Sequence, residues 1–206
     1  QALQYQSKAL ELYISLLGEN SIYTANSYDN VGFDYEKLGE HQKAIENKQK
    51  ALDIFERILG GHHQKVMLSY SEIADYYRKI GRIRDALTAQ KKLEVILNET
   101  DAEFSSLELC SRKLAVIYRT LQEYDLSIEY AQKSVTYGKK AYINAPKSLA
   151  LSYICLANCQ KEAGLYNDSL DSYNNALELY RADGNNEEID ITLRKIKEVE
   201  DLSMNQ

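Results

Sequence analysis

The most reactive side chains in this sequence belong to three cysteines and three histidines. Cys155 and Cys159 lie four residues apart, a spacing that places both on one face of a helix and could begin a metal site. Zinc normally takes four ligands, but no histidine lies near this pair in the sequence and Cys110 is far from it. We therefore predict no metal site, interpret Cys110 and Cys159 as small apolar core residues, and keep Cys155 as a candidate surface residue.

The three histidines do not form the pattern of a catalytic site. His62 and His63 follow two glycines, and His41 also follows a turn glycine. Nucleophilic catalysis needs a histidine beside a cysteine or serine, and these loop positions are remote from the cysteines. The sequence also contains no glycine-rich phosphate-binding loop, metalloprotease motif or kinase signature. We therefore predict that the chain is not an enzyme and binds no cofactor.

Composition narrows the classes of partner. The 206 residues include 31 Asp and Glu against 25 Lys and Arg, which gives a net charge of −6. Binding to nucleic acids or to anionic membranes is disfavoured, because a protein needs an excess of lysine and arginine to bind either of them. No run of about 18 apolar residues is present that could span a membrane. An odd number of cysteines does not suit a disulfide framework, so we predict a reducing, cytoplasmic setting.

The elements that carry these side chains form a repeat. Residues 44–60 return in degenerate form after 42, 41 and 42 residues. A short turn, Lys37-Leu38-Gly39-Glu40, recurs at residues 79–82, 120–123 and 162–165. Self-similarity at this period predicts stacked supersecondary units. Such arrays leave an extended concave surface that usually holds another chain.

Each repeat is predicted to be a helical hairpin. In the second repeat, two apolar stripes of helical spacing lie on either side of a turn at Gly81. The first stripe contains Leu68, Tyr70, Ile73, Ala74, Tyr77 and Ile80, and the second contains Ala86, Leu87, Leu93 and Ile96. Small residues recur where the two helices of each hairpin should cross. They are Gly32, Ala74, Ala115 and Ala157 in the first helices and Ala44, Ala86, Ser127 and Ser169 in the second helices.

This pattern resembles the tetratricopeptide repeat. Tyr70, Ile73, Ala74, Tyr77 and Ala86 stand where that family places a large aromatic, an aliphatic, a small residue, a tyrosine and an alanine. The period exceeds the usual ~34 residues, and residues 51–63, with a Leu-Gly pair before a loop containing histidine, look like the kinesin-light-chain type. The resemblance implies an all-α fold, a right-handed α-solenoid of stacked antiparallel helix hairpins.

The resemblance covers nearly the whole chain as a single array. Residues 1–18 are expected to form the second helix of a truncated repeat, residues 22–60, 64–100, 103–142 and 146–183 four repeats, and residues 187–204 a C-terminal capping helix. The third repeat should be the least regular, since Gln122 replaces the turn glycine. In the first helix, Leu3, Leu10, Ile14 and Leu17 form an apolar stripe without a preceding hairpin, so we expect further repeats, a partner or a second copy to cover it.

In tetratricopeptide arrays the first helix of each hairpin lines the inner groove, so residues on its non-core side are the candidate contacts. That geometry assigns Asn26, Asp29, Asn30, Phe33 and Glu36 to repeat 1, Glu72, Asp75 and Arg78 to repeat 2, Arg112, Lys113 and Arg119 to repeat 3, and Asn158 and Lys161 to repeat 4. The charges pass from acidic to basic along the array, which could orient an extended peptide with its acidic part toward repeats 3 and 4. Each charge taken singly is also explained as a solvated residue on an exposed helix face.

Three hypotheses about function remain open. The leading one is a protein-interaction scaffold that binds an extended or helical peptide segment of a partner in the concave groove. The alternative is a regulatory or sensor module of a larger protein that controls a fused or associated catalytic domain, such as a peptidase or kinase. The third is a self-associating array that pairs through its uncovered first helix.

Overall fold

The computed structural model describes residues 2–204 and is built there from ten α-helices joined by short connections. The helices are α1 (Ala2–Leu17), α2 (Ile22–Lys37), α3 (His41–Leu59), α4 (Gln64–Lys79), α5 (Ile83–Asn98), α6 (Phe104–Thr120), α7 (Tyr124–Ala141), α8 (Pro146–Glu162), α9 (Tyr166–Asp183) and α10 (Asn186–Met204). They fall into two compact units that divide after residue 100, called unit 1 and unit 2. Within each unit successive helices pack as hairpins, so the predicted all-α hairpin fold is confirmed.

The same turn closes each of the four hairpins α2/α3, α4/α5, α6/α7 and α8/α9. In each turn, the backbone N–H of the third residue after the helix donates to the carbonyl oxygen of a tyrosine or glutamine five residues earlier. The four bonds are Glu40 to Tyr35 (3.0 Å), Arg82 to Tyr77 (2.9 Å), Glu123 to Tyr118 (3.0 Å) and Leu165 to Gln160 (2.9 Å). This bond closes the helix end and requires the residue before the donor to adopt a left-handed conformation.

Three of these turns place a glycine in the left-handed position, where the absence of a Cβ removes the steric cost. The third turn places Gln122 there with φ 62°. An L-residue in this conformation costs about 1–2 kcal/mol. The turn of the third repeat therefore has the same geometry as the other three, although glutamine replaces glycine there.

Three of the four predicted helix crossings are confirmed by contacts between the small residues. The hydroxyl of Ser127 donates to the carbonyl oxygen of Ala115 at 3.0 Å, and the hydroxyl of Ser169 donates to that of Ala157 at 2.8 Å. In the α2/α3 hairpin, a Cβ added to Gly32 would meet the backbone carbonyl of Ala44 at 3.2 Å. The backbones therefore approach closely where the sequence placed small side chains.

Each unit has its own apolar core. In unit 1, Leu52 and Phe55 of α3 pack with Val66 and Ile73 of α4. Leu68, which the sequence assigned to the same stripe, is 49% exposed, so that assignment is wrong and the buried face of α4 includes Tyr76 in its place.

In unit 2, Tyr173 and Tyr180 of α9 are fully buried. Val199 of α10 packs in one cluster with Tyr173 and Ala157, so α10 covers the last hairpin.

Helix α1 packs against α2 but buries none of its side chains completely. The Tyr13 and Tyr23 rings stack with centroids 5.8 Å apart. Tyr5, Leu12 and Leu16 of α1 are more than half exposed. Among residues 2–204, none of the helices combines the length and the hydropathy needed to cross a lipid bilayer.

Candidate peptide-binding surfaces

The first helices of unit 1, α2 and α4, border an open cleft of about 400 Å³. Helical spacing explains why several polar side chains share it, since residues three and four positions apart lie on one face of a helix. The lining residues are Asp29, Asn30, Phe33 and Glu36 of α2, Lys48 of α3, and Glu72, Asp75, Tyr76 and Lys79 of α4. Six of the predicted contact residues of repeats 1 and 2 therefore lie together here, and this set is called the unit 1 cleft below.

Ion pairs connect the two walls of the unit 1 cleft. Lys65 Nζ lies 3.2 Å from Asp29 Oδ2, and Lys79 Nζ lies 3.0 Å from Glu36 Oε1. Lys48 Nζ of α3 lies 3.6 Å from the other carboxylate oxygen of Glu36, Oε2. These pairs hold α2 beside α4 and offset part of the negative charge of the cleft.

The rim of the unit 1 cleft offers both apolar and charged contact. Phe33 is 49% exposed, and Lys37 Nζ lies 4.2 Å from the centroid of its ring. Glu72 is exposed on the facing helix. An exposed aromatic ring beside a carboxylate can contact the apolar stem and the charged end of one peptide side chain at the same time.

The floor of the unit 1 cleft contains Tyr76, which is 3% exposed. Its hydroxyl lies 2.9 Å from His41 Nδ1. Burial, and secondly the charge of Glu36, raises the pKa of Tyr76. The phenol therefore remains protonated at neutral pH and His41 serves as its hydrogen-bond partner.

Two predicted contact residues of unit 1 lie outside this cleft. Asn26 is exposed on α2 but does not line it. Arg78 is also exposed, and its Nη2 lies 3.9 Å from Asp75 Oδ1. Neither residue therefore extends the cleft itself.

In unit 2 the first helices of the hairpins are joined by ion pairs that also include α10. Arg119 Nε of α6 lies 3.5 Å from Glu162 Oε1 of α8. Lys161 Nζ of α8 lies 3.0 Å from Glu198 Oε1 of α10. The capping helix therefore contributes to the same surface as α6 and α8.

Lys195 of α10 is a member of this surface that the sequence interpretation missed. Burial lowers the pKa of Lys195, and the charges of Lys161 and Arg119 lower it further, while Glu188 acts in the opposite direction. Lys195 precedes Glu198 by three residues and so shares its helix face. The three-residue spacing between Lys195 and the charged Glu198 was the signal in the sequence that could have identified it.

Three of the basic residues predicted in repeats 3 and 4 have a carboxylate neighbour. Arg112 contacts Glu108, Arg119 contacts Glu162, and Lys161 contacts Glu198. The positive charge of this surface is therefore smaller than a count of lysines and arginines in α6 and α8 suggests.

The side-chain amide of Asn158 is oriented by the core. Its Oδ1 accepts a hydrogen bond from the hydroxyl of the fully buried Tyr173 at 2.6 Å. Burial is the main cause that raises the pKa of Tyr173 to about 12, so the phenol remains a donor at neutral pH. The amide nitrogen of Asn158 is then the group that can donate to a ligand carbonyl.

A buried carboxylate network lies beneath Arg112. Glu108 is 1% exposed, and its Oε1 accepts hydrogen bonds from Arg112 Nε (2.8 Å), Ser134 Oγ (3.0 Å) and Ser152 Oγ (2.8 Å). Its Oε2 accepts one from the Tyr142 hydroxyl at 3.2 Å. Such a charge is stable in a core only when its lone pairs are satisfied, and here donors from α6, α7, α8 and the segment after α7 do so.

The sequence contains a signal for this network. In the repeat frame, Glu108, Ser134 and Gly138 occupy positions that are apolar in the other repeats. The corresponding residues are Ala25, Met67 and Ala150 for Glu108, Ala51, Leu93 and Ala176 for Ser134, and Phe55, Leu97 and Tyr180 for Gly138. Three coordinated departures from the repeat pattern in one hairpin indicate a local polar site.

All three cysteines are buried, which corrects the assignment of Cys155 to the surface. The thiol of Cys155 lies 3.9 Å from the carbonyl oxygen of Arg112. A hydrogen bond between Cys155 and Cys159 raises the pKa of the first and lowers that of the second to about 7. Within the described part of the chain, no cluster of three or more His, Cys, Asp or Glu residues has an arrangement that could hold a metal ion.

Comparison with known sequences identifies the repeats. The family model of the tetratricopeptide repeat matches residues 1–56 and 28–94. No curated protein matches the sequence in a direct comparison.

Solved structures with the same fold are found at low sequence identity. A kinesin-light-chain repeat protein of Podospora anserina superposes with a TM-score of 0.76 at 17% identity, covering 89% of this chain and 87% of that one. BtubC (BKLC) of P. vanneervenii gives a TM-score of 0.75 at 17% identity and covers 88% and 73%. The apo form of RapI gives 0.81 at 16% identity, and the match spans 98% of this chain but 55% of RapI.

At these identities the likeness establishes the fold. The chain therefore contains tetratricopeptide repeats in residues 1–94 and has the fold of kinesin-light-chain-like tetratricopeptide repeat proteins.

Proposed function

We propose that this chain is a protein-interaction scaffold that binds an extended or helical peptide segment of a partner along the first helices of its hairpins. The observation that carries the proposal is the unit 1 cleft, where six predicted contact residues line one open cavity. Tetratricopeptide repeats generally serve as protein-interaction modules, and this supports a protein partner.

The chemistry of the unit 1 cleft suits recognition rather than catalysis. It combines the half-exposed Phe33 with the exposed carboxylate of Glu72 and the amide of Asn30. Binding sites of this kind use a few apolar contacts for affinity and a few polar groups for orientation. We also propose a reducing compartment such as the cytoplasm, since all three cysteines are buried and none is paired in a disulfide.

The partner segment is proposed to present acidic residues to unit 2. Lys113, Arg119, Lys161 and Lys195 belong to the first helices and the capping helix there. Although several of these cations have carboxylate neighbours, an acidic peptide can replace a half-exposed partner such as Glu162 or Glu198 at small cost, because exposed ion pairs contribute little.

A peptide selection tests the proposal. Peptides enriched from a random displayed library on the immobilised chain are measured against Phe33→Ala and Glu72→Lys in unit 1. Lys92→Glu is the matched control, because Lys92 is exposed on the second helix α5. We expect the two cleft variants to lose about tenfold in affinity, as for the loss of a central contact, and the control to remain near wild type. Peptides that bind all three variants equally would exclude the cleft.

A second candidate function is a sensor module within a larger protein that controls a catalytic domain. The observation that favours it is the match to RapI, of which these helices span 55%. The exposed apolar residues Tyr5, Leu12 and Leu16 of α1 would then contact the adjoining domain or a second copy. Sedimentation velocity at increasing concentration separates these cases, because self-association requires a dimer that Leu12→Glu abolishes.

A further inference from the structure

Arg112 differs from the other cations of unit 2 in how it is held. Its Nε donates at 2.8 Å to Glu108, a carboxylate that is 1% exposed, while 29% of the Arg112 side chain is exposed. Among residues 2–204, no acceptor is seen for the four N–H groups of its terminal nitrogens. A guanidinium fixed through Nε presents those nitrogens as a preformed fork for a planar carboxylate.

The network beneath Arg112 is specific to the third hairpin, and Gly138 makes room for it. A Cβ added to Gly138 would lie 3.1 Å from Ser152 Oγ and 3.6 Å from Glu108 Cγ. The other repeats fill this position with Phe55, Leu97 or Tyr180. Apolar side chains would pack this hairpin as they pack the others, so its stability does not require a buried charge.

From these contacts we propose that Arg112, held in position by the buried carboxylate of Glu108, binds a glutamate or aspartate side chain of the partner segment. Glu108 is then a positioning residue, and Arg112 is the specificity-determining contact of unit 2. The inference rests on the proposed function and adds to it the ligand group and the residue that receives it.

Arg119 provides an internal comparison on the same helix. Its Nε lies 3.5 Å from Glu162, whose side chain is 43% exposed, so solvent competes with this pair and its orientation is less restricted. Two arginines of equal charge on α6 thus differ in preorganisation. Binding of a carboxylate should depend on the guanidinium fork at Arg112 and only on charge at Arg119.

The test uses N-acetylated, C-amidated hexaglutamate as the probe, hexaglutamine of the same format as the reference, and fluorescence anisotropy on the whole chain. Glu108→Gln removes a negative charge, so a purely Coulombic role of this surface predicts tighter binding of hexaglutamate. The positioning role predicts the opposite, a loss of about tenfold, because a neutral amide oxygen replaces the charged acceptor that orients Arg112.

Two arginine-to-lysine variants test the guanidinium group while they keep its positive charge. Arg112→Lys should lose about tenfold in affinity for hexaglutamate, and Arg119→Lys about twofold or less. Hexaglutamate binding that is tightened by Glu108→Gln, or equal losses from Arg112→Lys and Arg119→Lys, would overturn the inference. If circular dichroism shows that Glu108→Gln is unfolded, the pair of arginine variants decides.

Failure of this inference and failure of the proposed function give different results. If library-selected peptides bind through the unit 1 cleft but hexaglutamate binds no better than hexaglutamine, only the inference about Arg112 fails. If neither the selected peptides nor hexaglutamate responds to any first-helix variant, the scaffold proposal fails with it.

Discussion

Replacing Gly32 with alanine adds one methyl group at the closest approach of α2 and α3. The added Cβ would lie 2.9 Å from Lys48 Cγ and 3.2 Å from both Ala44 O and Lys48 N. Carbon atoms normally approach to about 3.5–4.0 Å. The Lys48 side chain cannot easily withdraw, because it is buried and its Nζ lies 3.6 Å from Glu36. The hairpin must therefore open by several tenths of an ångström.

Two opposing effects set the size of the change. Alanine is favoured over glycine inside a helix by about 1 kcal/mol, whereas overpacking a close contact costs about 1–3 kcal/mol. We expect overpacking to prevail, because two of the three contacts are with backbone atoms. A net loss of about 1 kcal/mol in the free energy of unfolding corresponds to a Tm about 2–4 °C lower for a chain of this size.

Thermal unfolding followed by circular dichroism at the helical minimum measures this change. Gly61→Ala is the matched control, because a Cβ at Gly61 would meet nothing within 4 Å. The control should leave the Tm unchanged or raise it slightly, since alanine restricts the unfolded chain. A Tm for Gly32→Ala at or above that of Gly61→Ala would refute the assignment of this crossing as the closest contact of the hairpin.

Three further predictions concern single sites. Gln122→Gly should stabilise the chain by about 0.5–1 kcal/mol in thermal unfolding, because the left-handed φ of 62° is strained for glutamine. Burial raises the pKa of Tyr173 and Tyr180 from 10.0 to about 12. The unfolded chain therefore loses these protons first, so the free energy of unfolding should fall as the pH rises from about 10 to about 12. The last increase in the absorbance of the 17 tyrosines should then accompany loss of helix. The buried thiols should react with a thiol reagent only after denaturation.

The hairpin fold was predictable because it depends on periodicity. Apolar spacing, the turn recurring after Gly39 and the small residues at Ala115 and Ser127 all report on contacts that repeat along the chain. The apolar spacing of one repeat alone does not determine its secondary structure, but four copies of the same spacing do. Exceptions such as Leu68 arose where a helix has more apolar residues than its core face can accept.

For the contact surface, the sequence predicted which residues share a helix face but not how their side chains pair. Helical geometry placed Asp29, Phe33 and Glu72 on first helices, and these side chains line one cleft. It could not show that Lys65 crosses to Asp29, because ion pairs depend on how long side chains bend across the space between two helices. Charge counted from sequence therefore overestimates the field that a ligand meets.

Departures from the repeat pattern indicate where one hairpin differs from the others. A substitution that preserves hairpin packing, such as serine for alanine at the crossing position of the second helix, is expected among repeats, whereas a charge in a core position is unfavourable unless other residues change with it. Glu108, Ser134 and Gly138 change together, and their contacts converge on one carboxylate. Since an apolar version of this hairpin exists three times in the same chain, the polar version is best explained by what it presents at the surface. The residue it presents is Arg112, and this is why a carboxylate ligand follows from the core as well as from the surface charge.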